Sequence, residues 1–219
     1  MVIGSWQGTD DGWQDWNGGN QVSITALPGR YSYASGVVPG YAQSLQITQN
    51  GFNTGLRLNL TSIPADLGAF NANHILSFTF SAPAAFAGTT SGYTQMFSLA
   101  FDAPGIGFYY VPWASTTATG YTGDNESGMP NYFYYPGSPF KTQTVSFDYS
   151  SILPTIQAGG ENYLWLNFIS DNYSNGGGAP NYFWMNNVTL SGGPVPEPAT
   201  GALALVGSVI TLFMVRRHA

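Results

Sequence analysis

Aromatic side chains that could stack on sugars are concentrated in one stretch of the chain, between residues 111 and 141. A planar ring with a polar tip packs on the face of a sugar ring, while neighbouring amide side chains bond hydroxyl groups without adding charge. Aromatic side chains also fill cores and the ends of loops, so packing is the alternative role for this stretch. The residues predicted to bind a glycan are Trp113, Tyr121, Tyr132, Tyr134 and Tyr135, with Tyr109, Tyr110 and Phe133 beside them.

Carboxylates form a second group of residues that could do chemistry. Asp10, Asp11 and Asp15 stand among three tryptophans, where they could coordinate Ca²⁺, contact sugar hydroxyls or form acidic turns. Asp124 and Glu126 share a glycine-flanked segment. Glycoside hydrolysis needs two carboxyl groups, and their separation is a three-dimensional property. Since no catalytic motif accompanies these acids, the sequence predicts no catalytic residue, and a hydrolase of extracellular polysaccharide is the alternative.

Histidine and cysteine are too scarce for most nucleophilic or metal chemistry. His74 is the one histidine before residue 218, and the sequence contains no cysteine. A Ser–His–Asp relay would therefore depend on His74 alone, and no thiolate or multi-histidine metal site can be built. The sequence predicts a surface-loop position for His74, no bound metal and no other cofactor.

The distribution of charge argues against nucleic acid as a partner. All 11 acidic residues precede Arg216, whereas the basic residues before it are Arg30, Arg57 and Lys141. Binding to a phosphate backbone needs a patch of Lys and Arg, which this chain lacks. Charged residues make up 7% of the sequence, against about 25% in an average soluble domain. A polar surface made of amides, hydroxyls and phenols is typical of extracellular β-proteins.

Short strands must position these residues, because apolar and polar side chains alternate with a period of two in many segments. No sustained 3.6-residue apolar stripe occurs before residue 199. Residues 111–141 and 169–181 read as two long loops. The pattern predicts an all-β, jelly-roll-like β-sandwich. Its predicted strands are residues 21–25, 44–48, 56–60, 76–80, 97–101, 145–149, 164–169 and 183–190.

The C-terminal end has a different composition from everything before it. Residues 199–215 carry no charge and are followed by two arginines. As a helix this run is about 25 Å long, close to a hydrocarbon core of ~30 Å. The basic end predicts a single transmembrane helix over residues 199–215 with a cytoplasmic C-terminus. A helix packed on the domain and a plain tail anchor are the alternatives.

A Val-Pro-Glu-Pro box at residues 195–198 precedes the uncharged run 199–215, and two arginines follow that run. The order of these three elements resembles the PEP-CTERM sorting signal of bacteria. The resemblance implies recognition by an exosortase-like processing enzyme, cleavage near the Pro-Glu-Pro box and export through a signal peptide. Residues 1–6 show neither a basic region nor a long apolar region. We therefore expect the true start of the gene to lie upstream. The residues that carry the signal are Val195, Pro196, Glu197 and Pro198 before the apolar run, and Arg216 and Arg217 after it.

The two ends of the remaining chain resemble carbohydrate-binding-module-like jelly rolls. Residues 4–13 look like their opening strand, and residues 183–190 look like their closing strand. In such modules a structural Ca²⁺ often joins an acid of the first strand to one of the last. Gln7 and Asn186 occupy the matching positions here. Because both are neutral amides, no calcium site is predicted.

Together these patterns predict a β-sandwich cargo domain over residues 1–193 and a sorting signal over residues 194–219. The expected function is that of an exported, non-catalytic protein of the cell surface or extracellular matrix, with extracellular polysaccharide as a candidate ligand. The predicted location is the cell envelope, with the domain facing outward before processing.

Overall fold

Most of the described backbone lies in antiparallel β-strands. The computed structural model describes residues 1–16, 22–38, 40–49, 54–82, 93–95, 98–112, 116–120, 134–136, 141–160, 162–170 and 181–193. The strands are β1 (Val2–Gly4), β2 (Gln14–Asp15), β3 (Tyr31–Ser35), β4 (Gln43–Gln49), β5 (Thr54–Asn59), β6 (Ile75–Ala82), β7 (Tyr93–Gln95), β8 (Ser98–Ala103), β9 (Gly107–Tyr110), β10 (Thr116–Gly120), β11 (Tyr134–Pro136), β12 (Lys141–Asp148), β13 (Trp165–Ser170) and β14 (Asn181–Ser191).

Two large sheets form the two layers of a sandwich. The seven-stranded sheet runs β10-β12-β6-β14-β4-β3, with β1 also paired to β14. The five-stranded sheet runs β2-β5-β13-β8-β9. A small two-stranded sheet joins β11 to β7. All of these pairs are antiparallel, so the predicted β-sandwich is confirmed at the level of two antiparallel sheets.

The core lies between the two large sheets, because each strand turns alternate side chains inward. Phe78 of β6 contacts Phe168 of β13 edge to face, with ring centroids 4.9 Å apart. Trp13 packs on the same Phe168 ring at 5.6 Å. All three side chains are almost completely buried. Burying a side chain of this size stabilises the fold by roughly 1.5–3 kcal/mol. The contacts among these three side chains are therefore a main source of stability between the two sheets.

Period-two alternation located most of the longer strands correctly. The predicted segments 44–48, 56–60, 76–80, 145–149, 164–169 and 183–190 fall largely within β4, β5, β6, β12, β13 and β14. The predicted strand at residues 21–25 is wrong where it is described, since Ile24–Ala26 forms a 3₁₀ turn. The side chain of Ser23 accepts a hydrogen bond from the Thr25 amide and so caps this turn.

The structure also contains two short helices, which the all-β prediction did not include. Helix α1 spans Pro64–Asn71 and α2 spans Leu153–Ala158, and each has a proline in its first turn. Proline favours that position because its missing N–H would have no partner there. At one or two turns, neither helix is long enough to show a sustained apolar stripe. Gln157 of α2 donates a hydrogen bond to Asn71 of α1 at 3.2 Å, and Phe70 of α1 stacks on Tyr149, just after β12, with ring centroids 4.4 Å apart.

The first and last strands that the structure describes, β1 and β14, lie side by side. Val2 pairs with Thr189, and Gly4 pairs with Val188. The Met1 amino group donates to the Leu190 carbonyl at 2.6 Å, and the Leu190 amide donates back to the Met1 carbonyl at 2.8 Å. The strand that opens the domain is therefore held directly by the strand that closes it.

The predicted sorting signal lies outside the described residues, as do Val195, Pro196, Glu197, Pro198, Arg216, Arg217 and the apolar run 199–215. Of the helices that the structure does describe, none is both long enough and apolar enough to span a bilayer.

Candidate functional site

The acidic residues near the N-terminus hold their own loop together. The Asp11 carboxylate accepts hydrogen bonds from the Ser5 amide at 2.7 Å, the Ser5 hydroxyl at 2.9 Å, the Trp6 amide at 3.3 Å and the Thr9 hydroxyl at 2.5 Å. Burial raises the pKa of Asp11, but these hydrogen bonds outweigh burial and leave that pKa below its ordinary value. Asp10 bonds the Gly12 amide and the Ser23 hydroxyl.

Asp15 is buried in a second polar cluster. The Arg30 guanidinium donates to both of its carboxylate oxygens at 2.8 Å, and the Tyr31 hydroxyl donates to Asp15 as well. Burial and the hydrogen bond to Asp15 raise the pKa of Tyr31 far above its ordinary value. The three acids near the N-terminus thus serve the fold. Among the residues that the structure describes, no group of three or more metal-ligating side chains could hold a metal ion.

His74 fixes the end of the domain and is not a free loop histidine. Its Nδ1 lies 2.8 Å from the Gly193 carbonyl oxygen, and its backbone amide donates to Ser191. Gly192 lies so close to the imidazole that a Cβ there would be 2.8 Å from His74 Cε1. The predicted surface position is therefore only half right, since the ring packs on the last residues of the described chain.

The outer face of the five-stranded sheet gathers a set of polar and aromatic side chains. Residues directly opposite each other in antiparallel strands point to the same side of the sheet. One row across the sheet pairs Gln14 with Arg57, Arg57 with Asn167, Asn167 with Ala100, and Ala100 with Tyr110. The next row pairs Asn59 with Trp165, Trp165 with Asp102, and Asp102 with Phe108. The alternate residues are buried in the core, namely Leu56, Leu58, Leu166, Phe168, Leu99 and Phe101.

Three aromatic rings are the most prominent part of this outer face. Phe108 and Tyr110 of β9 are 42% and 40% exposed, and their ring centroids lie 5.0 Å apart in an edge-on arrangement. Trp165 is half-buried two strands away on β13. The strand spacing puts its backbone about 9–10 Å from that of Phe108. Exposed and half-exposed rings on a rigid sheet can stack on a ligand without first being ordered.

Polar groups lie between and beside the rings. The Arg57 guanidinium carbon lies 4.5 Å from the centroid of the Trp165 ring, within the range of a cation–π contact. Asn167 and Ala100 form a buried floor, where Asn167 Nδ2 donates to the Ala100 carbonyl at 3.4 Å. Burial raises the pKa of Asp102 and lowers that of Arg57. One cation and one carboxylate are therefore partly withdrawn from water on this face, which strengthens their interaction with a bound polar group.

The structure places the predicted sugar-binding residues only in part. Trp113, Tyr121 and Tyr132 lie outside the described residues. Tyr134 and Tyr135 belong to β11, where their backbones pair with Gln95 and Thr94 of β7. The reading of residues 111–141 as one long loop is wrong, because β10 and β11 lie within it and β12 begins at its end. β10 extends the seven-stranded sheet by pairing with β12.

The sequence pattern did not predict four of the residues on this face as site residues, namely Trp165, Phe108, Arg57 and Asp102. Each is the outward residue of an alternating segment, and that signal was visible around Arg57, between Leu56 and Leu58. What alternation does not give is the order and register of the strands. These bring β5, β13, β8 and β9 together from distant parts of the chain.

Comparison with protein-family models finds no match, and comparison with curated proteins finds none either. Among solved structures, the chain is similar to the CBM22-1 xylan-binding domain of Xyn10C from Paenibacillus barcinonensis, at 13% sequence identity and a TM-score of 0.31. The match covers 85% of this chain and 93% of that one. A TM-score this low carries no argument about fold or function. What this chain binds must therefore be inferred from its own surface.

Proposed function

We propose that residues 1–193 form a non-catalytic, jelly-roll-like domain that binds extracellular polysaccharide on the outer face of the five-stranded sheet. One observation carries the proposal: the rings of Trp165, Phe108 and Tyr110 share that face with Arg57 and Asp102. Sugar recognition combines an apolar surface for the ring face with donors and acceptors for the hydroxyls. The outer face offers both on adjacent strands.

Each polar group has a distinct part in this proposal. Arg57 supplies hydrogen-bond donors and Asp102 supplies acceptors, while Asn59 supplies amide donors, because its Oδ1 already accepts from the Thr61 amide and hydroxyl. The Trp165 ring contacts the Arg57 guanidinium, which limits the positions that both side chains adopt. The predicted binders Trp113, Tyr121, Tyr132, Tyr134 and Tyr135 follow β9 in the chain. We propose them as further candidates for contact with the ligand.

Binding is tested by affinity electrophoresis of the full chain through gels that contain xylan, β-glucan, cellulose derivatives or bacterial exopolysaccharide. At least one polysaccharide should retard the wild type, and Trp165→Ala should remove most of the retardation. Tyr41→Ala is the matched control, because Tyr41 is a partly exposed aromatic residue in the turn between β3 and β4, two strands of the other sheet. If no polysaccharide retards the wild type, or if both variants behave alike, the proposed site is wrong.

We further propose that the protein is exported and sorted through its tail. The support is the order of Val195, Pro196, Glu197 and Pro198, the uncharged run 199–215, and Arg216 with Arg217. In this proposal the apolar run holds the chain in the membrane until an exosortase-like enzyme acts on the Pro-Glu-Pro box. The domain then reaches the cell surface or the extracellular matrix.

Sorting is tested by expressing the chain behind a signal peptide in cells with and without an exosortase. Without the enzyme the protein should stay in the membrane fraction. With it, a shorter form should appear at the surface, and replacing Pro196, Glu197 and Pro198 by alanine should prevent that shortening. Equal processing of the wild type and the triple variant would refute the role of the box.

The hydrolase alternative lacks a supporting observation in the described part of the chain. Both classes of glycosidase use a pair of carboxyl groups on either side of the scissile bond. On the outer face, Asp102 is the single carboxylate among the side chains placed there by the strand register. We therefore propose binding without turnover.

A further inference from the structure

An open cleft of about 330 Å³ lies beside the first strand, and none of its lining residues belongs to the outer face. It is enclosed by β1, the loop that follows it and the start of α1. The apolar side of the cleft consists of Val2, Ile3 and Ile63, and the polar side consists of Ser5, Asp11 and Asp66. Gly12 packs against Ile63 so closely that a Cβ would lie 2.5 Å from Ile63 Cδ1. The apolar wall is therefore fixed by the N-terminal turn.

Asp66 is a buried carboxylate without a counter-charge. It lies in the first turn of α1 and is only 7% exposed. No described group donates a hydrogen bond to its side chain. The charged side chain that acts on it is Asp11, which is also an acid. Burial, reinforced by Asp11, raises the pKa of Asp66. The side chain is therefore largely withdrawn from water but its carboxylate opens onto the cleft, where a positive group would stabilise its ionised form.

Asp11 contributes negative charge to the cleft and has little hydrogen-bonding capacity left. Its two oxygens already accept from Ser5, Trp6 and Thr9 through four hydrogen bonds. Three of these bonds end on Oδ2 and one ends on Oδ1, so of the roughly four lone-pair positions of a carboxylate only one, on Oδ1, is left. Asp66 is thus the carboxylate of the cleft with both oxygens available to a ligand.

This arrangement favours an organic cation over a metal ion. Ca²⁺ takes six to eight oxygen ligands and Mg²⁺ needs a near-ideal octahedron. The cleft supplies one carboxylate with both oxygens unpartnered, one further position on Asp11 Oδ1 and a wall of aliphatic side chains, which is fewer oxygen ligands than either ion needs. An ammonium group needs one good ion pair, and its alkyl chain gains from contact with Val2 and Ile63.

We propose that the cleft binds a primary alkylammonium group, with the ammonium on Asp66 and the alkyl chain against Val2 and Ile63. Lysine side chains of a partner protein and free polyamines share this chemistry. Binding here is independent of the outer face, since the two sites have no residue in common.

The test is titration of the full chain with n-butylammonium chloride, followed by NMR of the Val and Ile methyl groups. Saturable shifts should be confined to Val2, Ile3 and Ile63. Asp66→Asn keeps the shape of the side chain and should weaken binding at least tenfold, while Asp148→Asn, at an exposed acid on β12, should leave it unchanged. n-Butanol, with the same chain and no charge, should bind at least tenfold more weakly.

Asp66→Asn removes a buried charge, so its melting temperature should equal or exceed that of the wild type. A loss of binding in a folded variant therefore reports on the site itself. Tighter binding of capped lysine than of spermidine assigns the site to a partner protein, and the reverse assigns it to a free polyamine. The proposal fails if butylammonium does not bind, if Asp66→Asn binds it as well as the wild type does, or if Ca²⁺ displaces it stoichiometrically.

Discussion

The guanidinium carbon of Arg57 lies 4.5 Å from the centroid of the Trp165 ring, on the side of the five-stranded sheet that faces away from the core. Neighbouring strands hold the two side chains, so their contact is built into the sheet. Two strands beyond Trp165, Phe108 and Tyr110 complete an aromatic surface at the β9 edge. The proposed polysaccharide site rests on this relationship between one cation and three rings.

Phe108→Ala and Tyr110→Ala should weaken polysaccharide binding while leaving the fold intact. Each exposed ring is expected to contribute on the order of 0.5–1.5 kcal/mol to stacking, by analogy with aromatic pairs. That corresponds to roughly a three- to tenfold loss of affinity. Calorimetric titration gives the affinity and thermal melting gives the stability. A large drop in melting temperature for either variant would show that these rings are structural.

Removing the Asp15 carboxylate should destabilise the domain strongly. Asp15→Ala leaves the Arg30 guanidinium and the buried Tyr31 hydroxyl without their shared acceptor. Breaking a buried ion pair from one side costs about 3–5 kcal/mol, and we expect the lower end because Arg30 is 24% exposed. Urea denaturation measures the loss. The exposed Asp148→Ala is the control, and a similar small effect for both would contradict the assigned role.

The fold should lose stability in alkali through its buried tyrosines. Burial is the main cause that raises the pKa values of Tyr31 and Tyr149 above the ordinary 10.0. A raised folded-state pKa means that stability is fully present below pH 10 and declines as pH rises above it. Unfolding free energies between pH 8 and 11.5 test this. Tyr149→Phe should flatten part of the decline, at the cost of the hydrogen bond to the Phe70 carbonyl.

Asp11 and Asp66 should respond to acid in opposite ways. Hydrogen bonds lower the pKa of Asp11 below 3.8 despite its burial, so its stabilising effect is present above that pH and is lost as pH falls through its folded pKa. The pKa of Asp66 is raised, so its charge opposes folding at neutral pH. Asp11→Asn should therefore destabilise at pH 7, whereas Asp66→Asn should stabilise. Chemical denaturation at pH 7 and at pH 3 distinguishes them, and equal effects of the two variants would contradict both assignments.

Gly192 and Gly193 provide a matched pair at the end of the domain. Both have positive φ, of 100° and 67°, but only at Gly192 would a Cβ collide with the His74 ring. Gly193→Ala should cost about 1–3 kcal/mol for its backbone conformation. Gly192→Ala should cost clearly more stability than Gly193→Ala. In a double variant, a smaller side chain in place of His74 should remove most of that difference. Thermal unfolding of the three variants measures this, and equal costs for the two glycines would exclude the contact with His74.

The sequence predicted the long strands of the fold but not its short elements. Long alternating strands such as β6 and β14 were identified because a half-buried strand must place apolar residues at every second position. The two-residue β2 and the three-residue β1 are too short to show any period. The turn at Ile24–Ala26 was missed because its alternation is local, and the capping bond of Ser23 decides its conformation.

The sequence predicted the chemistry of the candidate site but not most of the residues that form it. Clustered aromatics suggested stacking on sugars, and Tyr110 was noted for that reason. Trp165 was not, because nothing in the sequence shows that β13 lies at the centre of the sheet, between β5 and β8. The buried, unpartnered state of Asp66 likewise depends on packing between α1 and the N-terminal loop, which no sequence pattern contains.

The most direct test of the central claim is the response of the six tryptophan indoles to a bound polysaccharide fragment. In a chain labelled with ¹⁵N-tryptophan, each indole N–H gives one signal, and Trp165→Phe identifies the signal of Trp165. Titration with an oligosaccharide of the retained polysaccharide should shift the Trp165 signal saturably and leave those of the buried Trp6 and Trp13 in place. A Trp165 signal that does not move at saturation, while that of Trp113 does, would place binding in residues 111–141 and contradict the outer-face site.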